Sequence, residues 1–192
     1  MKKIAILDLE WTSWYGNYYG KNLINEKRLS WQKKEIIQIG LIIIDENYKL
    51  KKKISILVKP VINPKLSQYI INLTGITQKK IDLRGISFIS AYKALKKNVN
   101  NCIIVSNGTD GDVLSQNLKF NKLNEKNLDV INIKNYLHEI YNIPDKFLHS
   151  TVIHTYFGYK LFNTNAHNAL NDCLNIHKAL KKIKFDFNIL NK

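Results

Sequence analysis

Two cysteines in 192 residues are too few for a disulfide framework. Cys102 and Cys173 also lack the spacing of a thiolate metal site. No apolar run approaches the roughly 20 residues that a bilayer-spanning helix needs. Proline occurs three times, at Pro60, Pro64 and Pro144, too sparsely to build a linker, and no internal repeat or low-complexity segment is present. These absences exclude a disulfide-stapled scaffold, a bundle of membrane helices and a repeat array. Met1-Lys2-Lys3 leads straight into an apolar run, which leaves no room for a signal peptide, so a reducing cytoplasm is the expected location. The length and the lack of a boundary imply one domain over residues 1–192.

Acidic residues are also in short supply, 15 against 30 lysines and arginines, and the net charge is +15. Such a balance favours a polyanionic partner, nucleic acid first and an acidic membrane surface second. The lysines are scattered, however, and many would simply be solvated helix or loop faces. A biased base composition in the coding DNA would also enrich lysine, asparagine and isoleucine together.

Against this background one stretch stands out. Ile4-Ala5-Ile6-Leu7-Asp8-Leu9-Glu10 reads as a strand buried on both faces and ending in two carboxylates. Strand side chains alternate, so Asp8 and Glu10 share a face. Two like charges so close repel, and burial adds to the cost. Either a hard divalent cation offsets that cost, or the strand ends there and both acids face water. An aromatic segment follows, with Trp11, Trp14, Tyr15, Tyr18, Tyr19 and then Trp31, interrupted by Gly16 and Gly20. It would serve as a base-stacking surface, with Trp11 the best-placed contact, or as a small satellite core.

Downstream, Glu35–Asp45 reads as a second strand and Lys51–Lys59 as a third. Glu46-Asn47-Tyr48 would join them as an antiparallel hairpin. Leu66–Leu73 is expected to be a short helix stopped at Gly75, with a turn after it. Ser87 would cap a helix to about Lys97. Cys102–Ser106 reads as a strand, followed by the polar turn Asn107–Gly111 and a helix from about Asp112 to Phe120. Leu128–Ile131 reads as a fifth strand with a helix to about Tyr141. Further helices are expected over 147–157 and 168–183. The order of elements implies an α/β architecture.

Carboxylates close three of these elements: Asp8 with Glu10, Asp110 after the strand at 103–105, and Asp172 in the last helix. His167 precedes Asp172 by five residues, about 140° around a regular helix. It is therefore better placed just before that helix, on the loop Phe162–Asn165, with Asp172 on the second turn. His138, His149, His154 and His177 have no carboxylate at useful spacing.

These motifs resemble the DEDDh group of 3′→5′ exonucleases. Asp8-Leu9-Glu10 matches the group's Asp-x-Glu, Asp110 matches its second aspartate, and His167 to Asp172 matches His-x4-Asp. Asp112 competes with Asp110, and the Gly-x-Asp-Gly context favours Asp110. Glu35–Gly40 and Leu73-Thr74-Gly75-Ile76 are similar to the group's second strand and substrate loop. Asp8–Thr12, Asn63–Ser67 and Leu73–Thr77 look closest to the branch of histone-mRNA and RNA-interference exoribonucleases and their bacterial relatives. Asn165-Ala166 and the run Asn168–Asp172 depart from the commoner residues without removing an acid.

The resemblance implies a ribonuclease H-like fold, a five-stranded mixed sheet with its first three strands antiparallel and helices on its flanks. It implies a two-metal hydrolysis of phosphodiester bonds at the 3′ end of single-stranded RNA or DNA, RNA preferred, with no membrane partner. Asp8 would bridge two Mg²⁺ ions about 3.5–4 Å apart, replaceable by Mn²⁺. Glu10 and Asp172 would complete one ion and Asp110 would support the other. His167, with an ordinary pKa of about 6.5, would take the water's proton. Leu73 and Thr74 would hold the terminal base and sugar, and Trp11 and Thr12 the end nucleotide. A non-catalytic binding module on the same fold is the alternative, as is a proofreading subunit that needs a polymerase partner.

Overall fold

The computed structural model describes residues 3–14, 31–160 and 167–190. Five strands form one sheet in the order β3-β2-β1-β4-β5. They are β1 (Lys3–Trp11), β2 (Ile36–Asp45), β3 (Leu50–Leu57), β4 (Cys102–Ser106) and β5 (Val130–Asn132). β1 pairs antiparallel with β2, and β2 with β3. β4 lies parallel to β1, and β5 parallel to β4. The hairpin turn forms because Asp45 Oδ1 accepts the Asn47 and Lys49 amides and Tyr48 adopts φ 59°. The expected mixed sheet with an antiparallel opening is therefore what the chain builds.

Among the described residues six α-helices flank it: α1 (Gln68–Thr74), α2 (Gln78–Arg84), α3 (Phe88–Val99), α4 (Asp110–Phe120), α5 (Lys134–Glu139) and α6 (Ala169–Ile183). Caps set several boundaries. Ser67 and Ser87 accept amides in the first turns of α1 and α3, and Gly75 closes α1 at φ 68°, a conformation costly for any residue with a Cβ. α2 follows the expected turn in a stretch to which the sequence reading assigns no element, and Thr77 caps it by accepting the Lys80 amide. The expected helix over 147–157 does not form. Two short 3-10 turns, Asp145–Phe147 and Ile153–Phe157, stand there instead. Thr151, Val152, Ile153 and Thr155 are β-branched and lose side-chain freedom in an α-helix.

β1 is buried on both faces, and its alternation decides where the site lies. Ile4 and Ile6 pack with Cys173, Ile176, Ala179 and Leu180 of α6. Ala5, Leu7 and Leu9 pack on the other side with residues of α3 and α4. Continuing the alternation puts Asp8 and Glu10 on the α6 face. Among the described residues no helix is long and apolar enough to cross a membrane.

Candidate active site

Asp8 and Glu10 lie opposite Gly40 and Gln38 of β2, and those two residues seat the start of α6. A Cβ on Gly40 would stand 2.2 Å from the Ala169 carbonyl carbon, so only glycine lets the helix come this close. Gln38 Oε1 accepts the Ala169 amide at 3.1 Å while its Nε2 donates to Ser55 at 3.0 Å. Asn168 caps the helix by accepting the Asn171 amide. Lower down, the Cys173 thiol donates to the Ile6 carbonyl at 3.3 Å. Asp172 falls in the first turn of α6, not the second, because the helix begins only after the Asn168 cap. Gly40→Ala is expected to push α6 off the sheet and to cost about 1–3 kcal/mol. Urea unfolding measures it, and wild-type stability would show that the helix is not seated this way.

Asp110 reaches the same place from another direction. Pairing of β4 with β1 stops at Val105–Ile6, so the β1 backbone beyond it needs another partner. Asp110 Oδ1 supplies one by accepting the Leu9 amide at 3.0 Å. That bond draws Asp110 into the first turn of α4, two residues before the expected helix start. Asp112 is exposed on the same helix, and geometry thus separates the two candidates.

Asp8, Glu10, Asp110 and Asp172 are all at least nine-tenths buried. Burial is the largest effect on each and raises all four. Asp110, Asp172 and Glu10 push Asp8 further up, and the Ser150 hydroxyl opposes them. Glu10 is also raised by Asp172 and Asp110. Asp110 is raised to about 6 although the Leu9 amide works against the shift. Asp172 is raised to about 7, with Asn175 opposing and Asp110 adding. Burial and the charge of neighbouring acids disfavour ionisation of Asp8, Glu10 and Asp172, and such a cluster is poised for a cation.

The donor chemistry fits a hard divalent ion. Four carboxylates supply oxygen ligands, as Mg²⁺ and Mn²⁺ prefer. Ligand atoms of Glu10, His167 and Asp172 all lie within 4.8 Å of one another. Beside them, Asn107 Oδ1 is buried with no hydrogen-bond partner in the protein, a cost of about 1–3 kcal/mol that a hydrated cation would offset.

His167 sits just ahead of α6 with φ 63°, off the helix as its spacing implied. Burial lowers its pKa, and the His149 imidazole lowers it further. The loop Phe162–Asn165 lies outside the described residues, as do Tyr15, Tyr18, Tyr19, Gly16 and Gly20. Trp14 and Trp31 meet edge to face at 5.4 Å.

The other expected contacts are placed differently. Trp11 turns to the opposite sheet face, against the Leu7 and Leu9 cluster, with the Lys34 ammonium over its ring at 5.3 Å. The Thr12 hydroxyl donates to the Lys33 carbonyl at 2.6 Å and accepts the Glu35 amide at 2.9 Å. Thr74 donates to the Ile70 carbonyl and accepts the Ile76 amide. Both hydroxyls therefore hold backbone. Leu73 lines a depression of about 380 Å³ with Gln68, Tyr69 and Asn72. His138 does have a carboxylate neighbour, Asp145 at 3.7 Å, which spacing missed because the 3-10 turn folds back. His154 and His177 bond the carbonyls of Lys160 and Tyr48.

Four polar residues at the site carried no sequence signal. Ser150 opposes the upward shift of Asp8, Asn175 donates to Asp172 Oδ1 at 3.5 Å, and Asn107 and Gln38 hold the surrounding backbone.

A family model described as Exonuclease (RNase_T) matches residues 6–180, a span that includes all four acids and His167. Several solved structures share the fold. One is a 3′-exonuclease in 3′-end-specific recognition of histone mRNA stem-loop, with TM-score 0.78 and 21% identity, covering 97% of this chain and 83% of that one. Another is the nuclease domain of 3′hExo, a DEDDh family member bound to rAMP, with TM-score 0.78 and 20% identity, covering 97% and 93%. A third is E. coli exonuclease I with a dT13 oligonucleotide, with TM-score 0.71 and 13% identity, covering all of this chain and 43% of that one. A comparison with curated protein sequences found no match.

Proposed function

This chain belongs to the exonuclease family matched over residues 6–180, and we propose that it removes nucleoside 5′-monophosphates from the 3′ end of single-stranded nucleic acid, RNA in preference to DNA. The observation that carries the proposal is the meeting of four buried acids with His167 beside two of them. A binding module has no use for carboxylates that raise one another's pKa. The RNA preference draws support from the histone mRNA and rAMP complexes of the neighbours with the higher TM-scores. The net charge of +15 suits either polyanion.

Asp8, Glu10, Asp110 and Asp172 would hold two divalent cations, Mg²⁺ or Mn²⁺. When bound, such ions neutralise the phosphate, favour ionisation of water and stabilise the leaving oxygen. The protein's own part is positioning and proton transfer. β1 presents Asp8 and Glu10, the Leu9 amide fixes Asp110, and the seating of α6 fixes Asp172. A neutral imidazole nitrogen of His167 accepts the proton of the attacking water. The water oxygen bonds to phosphorus, the bond from phosphorus to the 3′ oxygen breaks, and that oxygen takes a proton from solvent, leaving the shortened chain with a 3′ hydroxyl. Leu73 and the depression it lines offer an apolar surface for the terminal base, with Thr74 shaping the turn beneath it. Trp11 and Thr12 would carry the end nucleotide through the backbone they brace.

Matched RNA and DNA strands labelled at the 5′ end test this reading. With Mg²⁺ or Mn²⁺ the expected result is a ladder that shortens from the 3′ end, faster on RNA and absent in EDTA. Binding without cleavage would instead identify a non-catalytic module. Faster shortening of DNA would reverse the substrate preference.

A further inference from the structure

Just past the acids, the turn that carries Trp31 meets the loop 58–67 between β3 and α1. Thr12, two residues beyond Glu10, donates its amide to the Glu35 carbonyl at 2.8 Å. The Lys33 amide is shared between the Trp31 carbonyl at 3.0 Å and Asn63 Oδ1 at 3.2 Å, which ties the turn to the loop. The buried Glu35 carboxylate then fixes the loop itself. Its Oε1 accepts the Val61 and Ile62 amides at 2.6 and 2.8 Å, and its Oε2 accepts the Asn63 amide at 2.5 Å. Three large apolar side chains on this fixed rim nevertheless face solvent: Trp31 is 50% exposed, Val61 63% and Ile62 41%. We propose, resting on the exonuclease reading above, that Trp31, Val61 and Ile62 form a stacking rim. Its occupant is the bases that precede the 3′-terminal nucleotide of a single strand.

A fixed backbone and exposed apolar side chains are an unusual combination. A loop that only connects two elements is served by polar residues, and apolar side chains gathered at one place on a surface mark a contact. Holding the backbone in advance removes the ordering cost that a loose loop would add to binding. Trp31 is also braced, with the Trp14 ring edge to face at 5.4 Å. Charge selects the occupant. Lys33 and Lys34 follow Trp31, and Lys59 and Lys65 flank the loop. The one acid in residues 31–35 and 59–67 is Glu35, and both its oxygens are bonded to amides. An apolar protein surface docked here would leave these cations without a counter-charge, whereas a single strand brings phosphates together with unpaired bases. Position agrees. The rim begins two residues past Glu10, so a strand whose terminal linkage sits at the acids has the rim beside its next nucleotides. Trp11, the aromatic nearest the acids in sequence, faces the far side of the sheet, and Trp31 takes the stacking role instead. One base stacked on an aromatic ring is worth about 5–150-fold in affinity.

The test measures kcat and KM on an RNA of about 12 nucleotides and on a dinucleotide, which ends before the rim. Trp31→Ala is expected to raise KM on the longer strand about 5–150-fold. The rise on the dinucleotide should be much smaller, and kcat should change less than KM. Trp31→Phe, which keeps a ring, is expected to recover most of the loss. Val61→Ser combined with Ile62→Ser is expected to shift KM in the same direction. In wild type, abasic residues upstream of the terminal nucleotide should weaken binding by a similar factor, and Trp31→Ala should then add little. Melting in EDTA serves as the control for folding. An unchanged KM in Trp31→Ala on the longer strand, or an equal rise on both RNAs, would overturn the rim while leaving the exonuclease reading intact. So would a change of oligomeric state in Trp31→Ala by sedimentation, which would make the rim a contact between copies. A wild-type protein that neither binds nor cleaves either RNA would overturn both.

Discussion

Asp8→Asn is expected to reduce exonuclease activity to background and, at the same time, to make the cation-free protein more stable. Loss of activity follows from the position of Asp8, at the end of β1 with the other acids around it. Asparagine keeps the shape and removes the charge. The stability gain follows from the same crowding. Burial, Asp110, Asp172 and Glu10 all raise the Asp8 pKa. A carboxyl group whose pKa is raised on folding contributes stability below its unfolded value, near 3.8. That contribution is lost as pH rises through the folded value. Asp110 at about 6 and Asp172 at about 7 set the window. In EDTA the wild-type Tm should therefore fall between about pH 4 and about pH 7, and Mg²⁺ should restore it at the upper end. In Asp8→Asn the slope should flatten, and the Tm near pH 7.5 should lie above that of wild type. Calorimetry across pH, with and without Mg²⁺, measures all of this. A variant less stable than wild type in EDTA would show that the acids do not repel as the burial implies.

The main features of the fold were legible because they are local. The apolar run of β1, the hairpin signal at Glu46–Tyr48 and the caps at Ser87 and Gly75 each lie within a few residues of what they determine. The acids and His167 were legible as motifs with an order along the chain. Asp110 could be preferred over Asp112 by context, but the reason for the choice is a bond to the Leu9 amide, and nothing near residue 110 announces it. Gly40 and Gln38 read as ordinary strand residues until α6 is laid across them. Trp11 follows Glu10 directly in sequence, yet alternation carries it to the far face of the sheet. Ser150 was concealed by a second failure. A helix was expected through it, and side-chain entropy at four β-branched neighbours outweighed the apolar periodicity there. Long-range polar contacts and helix seats are set by tertiary approach, which no window of sequence contains.

Replacement of His167 is the other change with a large expected effect, and its backbone decides which replacement is informative. With φ at 63°, residue 167 occupies the left-handed region, where most side chains are disfavoured by about 1–2 kcal/mol and asparagine is tolerated. His167→Asn therefore preserves the approach to α6 better than alanine does. Its kcat on RNA is expected to fall by about 10²–10⁴-fold, the usual contribution of a positioned general base. Mn²⁺ affinity should stay within a few-fold of wild type, because the four carboxylates remain. The pH profile separates a base from a merely structural residue. Burial and the His149 imidazole lower the His167 pKa, so its neutral form persists below the ordinary imidazole value. Wild-type kcat at saturating Mn²⁺ should hold steady from about pH 8 down to about pH 6.5 and fall only below that, as protonation removes the proton acceptor. In His167→Asn the residual rate should instead rise with pH across the whole range, since hydroxide from solvent replaces the missing base. A variant that keeps the wild-type plateau at a lower height would assign His167 to holding the start of α6 and would leave proton transfer to another group.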